Sequence, residues 1–126
     1  MNEQHSALLF KVIFIVTALL TATLFISTLV STARVTGDEI VIIDVRTLDE
    51  WNAGHLATAK HLQLDQVAES INTVVADKNQ QVFLYCRSGN RSGQAKIIMD
   101  SLGYTNVTNA GGLNSASELL AIEIVQ

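Results

Sequence analysis

One cysteine-centred loop carries the residue types from which this sequence could do chemistry. Cys86 is the only cysteine in the chain, and it follows an apolar run over residues 82–84 that predicts a buried strand. A helix is predicted over residues 94–102, which places the thiol on a tight turn between strand and helix. Free N–H groups at a helix start and nearby cations favour the nucleophilic thiolate. The candidate reactive loop continues through Arg87, Ser88, Gly89, Asn90, Arg91 and Ser92.

A structural role is the alternative for Cys86, because a lone free cysteine is commonly a buried apolar residue. A structural cysteine gains nothing from Arg87 and Arg91 beside it, whereas a thiolate is stabilised by both. One cysteine also excludes an internal disulfide and a cysteine-based zinc site. The three histidines show no metal-ligand spacing, so the sequence predicts neither a metal nor a cofactor. Two of them, His55 and His61, are interpreted as surface or packing residues.

Strands and helices alternate around the loop, which predicts an α/β domain with a mostly parallel sheet flanked by helices. The near-continuous apolar run over residues 40–45 is typical of a strand buried on both faces. Thr47 and Glu50 form a capping-box pattern at the start of a short helix over residues 48–52. The further predictions are an extended piece over 62–64, an amphipathic helix over 64–75, strands over 81–85 and 104–108, a turn at Gly111 and Gly112, and a last helix from Asn114 or Ser115 to Leu120.

Three polar side chains are predicted to meet at one sheet edge, because ligands in parallel sheets bind beyond the carboxyl ends of the strands. Asp44 and Arg46 end the first strand, and Cys86 ends the central one. Asp44 could orient the loop or move protons, but capping the next turn is favoured. Arg46 could bind an anion, but pairing with a carboxylate at the sheet edge is favoured.

The N-terminal part has a different composition. Residues 12–33 carry no charge over 22 positions, and as a helix they would span roughly 33 Å, close to the about 30 Å of a bilayer core. A membrane anchor is favoured over a cleaved signal peptide, since signal cores are usually shorter. The predicted organisation is an N-terminal flank over 1–11, the anchor or signal over 12–33, a linker over 34–39 and one domain over 40–126. The net charge is −4 and the charged residues are scattered along the chain. The sequence has no basic run of the kind that would predict nucleic-acid binding.

The sequence resembles the rhodanese family of sulfurtransferases over residues 38–120, and is most similar to its small single-domain periplasmic members. Each matching segment is short, but all of them occur in the family's order and spacing. The segments are Ile43-Asp44-Val45-Arg46 with Glu50-Trp51, Gly54-His55-Leu56, Tyr85 through Ser92, Gly103-Tyr104 with Val107, and Asn109-Ala110-Gly111-Gly112-Leu113.

The resemblance implies a specific chemistry. Cys86 would take the outer sulfur of a small anionic donor such as thiosulfate, become a persulfide, and pass that sulfur to a thiophilic acceptor such as cyanide or a protein thiol. Backbone amides from Arg87 through Ser92 would cradle the sulfur, and Arg87 and Arg91 would attract the donor anion. The resemblance also implies a periplasmic location. Together with the uncharged segment over 12–33, it predicts a place in the cell envelope, with the domain anchored on the periplasmic side or secreted there after cleavage.

Two other functions stay open at this point. The domain could be a non-enzymatic binding module at the membrane, although its intact cysteine argues against that. It could also relay persulfide sulfur to a protein acceptor. A tyrosine-phosphatase-like or arsenate reductase site is disfavoured, because a Cys-x5-Arg loop would require arginine at the position of Ser92.

Overall fold

The computed structural model describes residues 6–17 and 39–126. The chain divides between Thr36 and Gly37 into two units, and the second contains every element named below. Residues 6–17 are helical and exposed. Most of the predicted anchor or signal over 12–33, and of the linker over 34–39, lies outside the described residues. Within residues 6–17 and 39–126, no helix is long and apolar enough to cross a membrane.

The domain is built on a four-stranded parallel sheet, as the sequence predicted. Its strand order is β3-β1-β4-β5, and every neighbouring pair is parallel. A small antiparallel pair, β2 with β6, lies apart from it. The strands are β1 (Val41–Asp44), β2 (His55–Leu56), β3 (Lys60–His61), β4 (Val82–Cys86), β5 (Val107–Gly112) and β6 (Ile124–Val125).

Helices cover the sheet because its central strands are apolar on both faces. Ile43 and Leu84 belong to one core cluster, while Ile42 and Tyr85 belong to a second. The Thr47 capping box opens the first helix as predicted. The helices are α1 (Leu48–Ala53), a 3-10 turn (Leu64–Gln66), α2 (Val67–Val74), α3 (Asn90–Ser101) and α4 (Leu113–Leu120).

Helix α3 begins four residues earlier than the predicted start at Gln94. Gly89 adopts φ +94°, a left-handed conformation that glycine reaches without steric cost. The chain therefore turns directly from the loop into the helix at Asn90, before the first apolar residue of the helical pattern.

Strand β5 lies further along the chain than the predicted strand over 104–108. Tyr104 is buried outside the sheet, where its hydroxyl donates to the Val75 carbonyl at 2.7 Å. Gly112, predicted to lie in a turn, instead pairs with Cys86 in the ladder. The extended piece predicted over 62–64 is also displaced, because the pairing residues are Lys60 and His61.

Candidate active site

Cys86 is the last residue of the central strand β4, and it is fully buried beneath the loop that follows. Two donors approach its sulfur from that loop. The Gly89 N–H lies 3.0 Å from Sγ, and the Ser92 hydroxyl lies 3.4 Å from it. Both donors belong to the start of α3 or to the residue just before it, where the helix presents unpaired N–H groups and positive potential. The strand-to-helix turn therefore creates a site for negative charge on sulfur.

The pKa of Cys86 reflects a competition between burial and hydrogen bonding. Burial alone raises the pKa, because it disfavours the charged thiolate. The Ser92 hydroxyl and the backbone N–H groups of Ser92, Ser88 and Gly89 stabilise that thiolate and outweigh burial, lowering the pKa of Cys86 to about 7. A substantial fraction of the thiol is thus ionised at neutral pH.

Strand β5 holds the loop from the side. The Asn109 Nδ2 donates to the Gly89 carbonyl at 2.9 Å, and its Oδ1 accepts from the Ser92 hydroxyl at 2.7 Å. At the strand end, a Cβ on Gly112 would lie only 2.6 Å from the Arg87 carbonyl oxygen. Only glycine permits this approach, because the opposing atom is backbone and cannot move aside. The loop is consequently packed tightly between β5 and α3.

The two loop arginines have different surroundings. Arg91 forms a bidentate ion pair with Glu50 of α1, at 2.7 and 2.8 Å. This pair, assisted by hydrogen bonds from Thr47, holds the pKa of Glu50 down at about 2 despite the opposing effect of burial, and it raises that of Arg91. Arg87 is exposed and has no carboxylate partner within residues 39–126. Arg91 therefore ties the loop to α1, while Arg87 follows the cysteine in sequence and stays exposed at the surface.

Asp44 and Arg46 form a buried ion pair at the neighbouring strand end. The Asp44 carboxylate accepts from the Arg46 backbone N–H at 2.9 Å and from its guanidinium, with a closest approach of 2.6 Å. The same guanidinium donates to the Gly54 carbonyl at 2.6 Å. The favoured interpretations, a capped turn for Asp44 and a carboxylate partner for Arg46, agree with this geometry.

His55 and His61 stack against Trp51, with ring centroids 3.6 and 5.1 Å from the indole. Each histidine also contacts a backbone carbonyl: His55 Nδ1 lies 3.0 Å from that of Trp51, and His61 Nε2 lies 2.8 Å from that of Arg46. These contacts suit packing residues. No cluster of potential metal ligands occurs in the described part of the chain.

The remaining loop residues lie at the surface. Ser88 and Asn90 are exposed, and the Asn90 Oδ1 accepts from Gln94 Nε2 at 2.7 Å. Residues outside the predicted site also contact the loop, among them Glu50 and Asn109. Both belong to segments that carry the family resemblance. Neither periodicity nor the capping-box pattern indicated their contacts with the loop.

Comparison with known proteins gives a consistent result. The family model of the rhodanese-like domain matches residues 31–118. Thiosulfate sulfurtransferase PspE of Escherichia coli strain K12 is 48% identical over 71 residues, covering 56% of this chain and 68% of the relative. Thiosulfate sulfurtransferase GlpE of Pseudomonas entomophila is 32% identical over 72 residues, covering 57% of this chain and 64% of that relative.

A solved structure described as a rhodanese with anions from E. coli is 41% identical to this chain. It superimposes with a TM-score of 0.64, over 70% of this chain and 99% of its own. The E. coli structure therefore aligns over almost its whole length.

Proposed function

Because the chain belongs to the rhodanese-like domain family, we propose that it is a sulfurtransferase that carries sulfane sulfur as a persulfide on Cys86. The observation that carries the proposal is the environment of that one sulfur. It is buried, it accepts from Gly89 and Ser92, and its pKa is lowered to about 7. A thiol without chemistry has no need of such stabilisation of its anion.

In the first step, a lone pair of the Cys86 thiolate forms a bond to the outer sulfur of thiosulfate. The sulfur–sulfur bond of the donor breaks, and its electron pair leaves with sulfite. The resulting persulfide carries its negative charge on the outer sulfur, where N–H groups from Arg87 through Ser92 are the available donors. In the second step a thiophilic acceptor removes that outer sulfur, and the thiolate is restored.

Mass spectrometry of the intact protein tests this proposal. We expect the chain to gain about the mass of one sulfur atom on incubation with thiosulfate, because the thiolate is the nucleophilic form of cysteine. Cyanide should reverse the gain. A chain that keeps a free, alkylatable Cys86 after incubation would favour the binding-module alternative. Retention of the sulfur against cyanide but release to a protein thiol would instead indicate a relay.

The loading rate should depend on pH through Cys86. Since its pKa is about 7, the thiolate fraction rises as the pH increases through 7 and then levels off. Two pH units below the pKa, loading should be about a hundredfold slower than at the plateau. Initial rates measured at constant ionic strength check this. An inflection near the ordinary thiol value of about 8.5 would contradict the stabilisation described for the loop.

Arg91→Ala should weaken the use of anionic donors more than that of neutral ones. The change removes a cation and leaves the Glu50 carboxylate unpaired beside the loop. At an interaction energy of about 1 kcal/mol, KM for thiosulfate should rise about fivefold at low salt, and less at high salt.

Lys96→Ala is the matched control for this comparison, because it removes one cation of an exposed ion pair on the same helix, away from the loop. If Arg91→Ala loses the same activity with anionic and with neutral donors, Arg91 does not attract the donor by its charge. A larger loss with thiosulfate in Lys96→Ala would show that the overall charge, not the loop, attracts the donor.

We also propose that residues 12–33 attach the domain to a membrane of the cell envelope or direct its export to the periplasm. The support is the uncharged length of this segment. Fractionation of cells, followed by the mass of the mature chain, distinguishes an anchor from a cleaved signal. Recovery of the uncleaved chain in the soluble cytoplasmic fraction would contradict both.

A further inference from the structure

The Ser92 hydroxyl lies between two acceptors but has only one proton. Its oxygen is 3.4 Å from Cys86 Sγ and 2.7 Å from Asn109 Oδ1. When Cys86 is a thiol, its S–H can donate to Ser92, which then donates to Asn109, so the chain of hydrogen bonds is complete. When Cys86 is a thiolate, both neighbours require the same proton.

The Asn109 amide cannot avoid this competition by reversing its orientation. Its Oδ1 accepts from the Gly111 N–H at 3.0 Å, and its Nδ2 donates to the Gly89 carbonyl at 2.9 Å. Reversal would place the Asn109 Nδ2 against the Gly111 N–H, donor against donor, and the Asn109 Oδ1 against the Gly89 carbonyl, acceptor against acceptor. Backbone groups on both sides therefore fix Oδ1 as a permanent acceptor facing Ser92.

We propose that Asn109 is a positioning residue that competes with Cys86 for the Ser92 proton and so limits stabilisation of the resting thiolate. A thiolate with weaker hydrogen bonds is less stabilised and is the better nucleophile at a given degree of ionisation. Asn109 does not touch the sulfur and acts on it through Ser92.

The same competition favours the sulfur-loaded state, a consequence that rests on the proposed function. When the thiolate lone pair bonds to the outer sulfur of thiosulfate and sulfite leaves, the negative charge moves from Sγ to the outer atom. Sγ is then a neutral divalent sulfur and a weak acceptor. The Ser92 proton can return fully to Asn109, which restores a hydrogen bond that the thiolate state had weakened.

A double-mutant cycle on the pKa of Cys86 tests the proposal in the full chain. The four proteins are wild type, Asn109→Ala, Ser92→Ala and the double variant. Because Cys86 is the only cysteine, the ultraviolet absorbance of the thiolate reports its ionisation directly. Arg91 is the charged group whose electrostatic interaction reaches Cys86, and it and its partner Glu50 are unchanged in all four.

We expect Asn109→Ala to lower the pKa of Cys86 when Ser92 is present. This change should be more negative, by about 0.5 or more, than the change that Asn109→Ala causes in the Ser92→Ala protein. Loss of the Asn109 contact with Gly89 also loosens the loop, but it does so whether or not Ser92 is present. The difference between the two pKa changes therefore cancels that effect. A coupling of zero, or of the opposite sign, would show that Asn109 only supports the loop and would overturn the proposal.

Asn109→Asp supplies a second variant with the opposite expected sign. Its carboxylate is a stronger acceptor for the Ser92 proton, so it should raise the pKa of Cys86 more when Ser92 is present than when it is absent. An equal rise in both backgrounds would overturn the proposal. The titration needs no sulfur donor, so its outcome is separate from whether the protein forms a persulfide.

Discussion

Cys86→Ser should abolish sulfur transfer from thiosulfate to cyanide, with a loss of at least about 10³-fold. A serine hydroxyl stays protonated at neutral pH, so the variant has no anionic nucleophile and cannot form the sulfur–sulfur bond. The same substitution should preserve the fold, because the Gly89 N–H that now donates to Sγ at 3.0 Å can donate to a hydroxyl instead. A steady-state assay and circular dichroism of one preparation measure both outcomes.

Cys86→Ala is the companion variant, since it removes every nucleophilic atom at this position. Both variants should be inactive and both should fail to gain mass with thiosulfate. Activity near wild type in either of them would exclude Cys86 as the sulfur carrier. A folded, inactive pair would separate the chemical role of the thiol from its packing in the buried cluster around β4.

The resemblance to the rhodanese family, drawn from short motifs, is confirmed by the family model and by the relatives. The parallel sheet was predictable because residues 40–45 and 82–84 are apolar at nearly every position, which requires burial on both faces. The boundaries near the loop were less predictable. Asn90 begins α3 and Gly112 ends β5 because of backbone geometry at glycine and close approach between segments, and neither leaves a periodic pattern.

The contacts that complete the site join distant parts of the chain. Glu50 and Arg91 are 41 positions apart, and Ser92 and Asn109 are 17 apart. Glu50 also matched a capping box, which was a complete local explanation for its identity. The roles assigned to Cys86 and to the other loop residues stay predictions that the variants above test.

Asp44→Ala should destabilise the domain by about 3–5 kcal/mol, the usual cost of removing one partner from a buried ion pair. Asp44 is fully buried, and Arg46 is only 6% exposed. Without the carboxylate, the guanidinium would keep the Gly54 carbonyl and the face of the Tyr85 ring, 5.6 Å away, but would lose its ion-pair partner. Urea unfolding should show a lower midpoint with an unchanged slope.

Asp100→Ala is the matched control, because it breaks the Lys96 pair, whose side chains are 38% and 46% exposed. Water solvates both of these charges, so the loss should be under about 1 kcal/mol. If the two variants lose the same free energy of unfolding, burial does not increase the cost of removing the carboxylate partner of Arg46. A loss confined to Asp44→Ala would instead show that removal of Asp44 leaves the Arg46 charge uncompensated where water cannot solvate it.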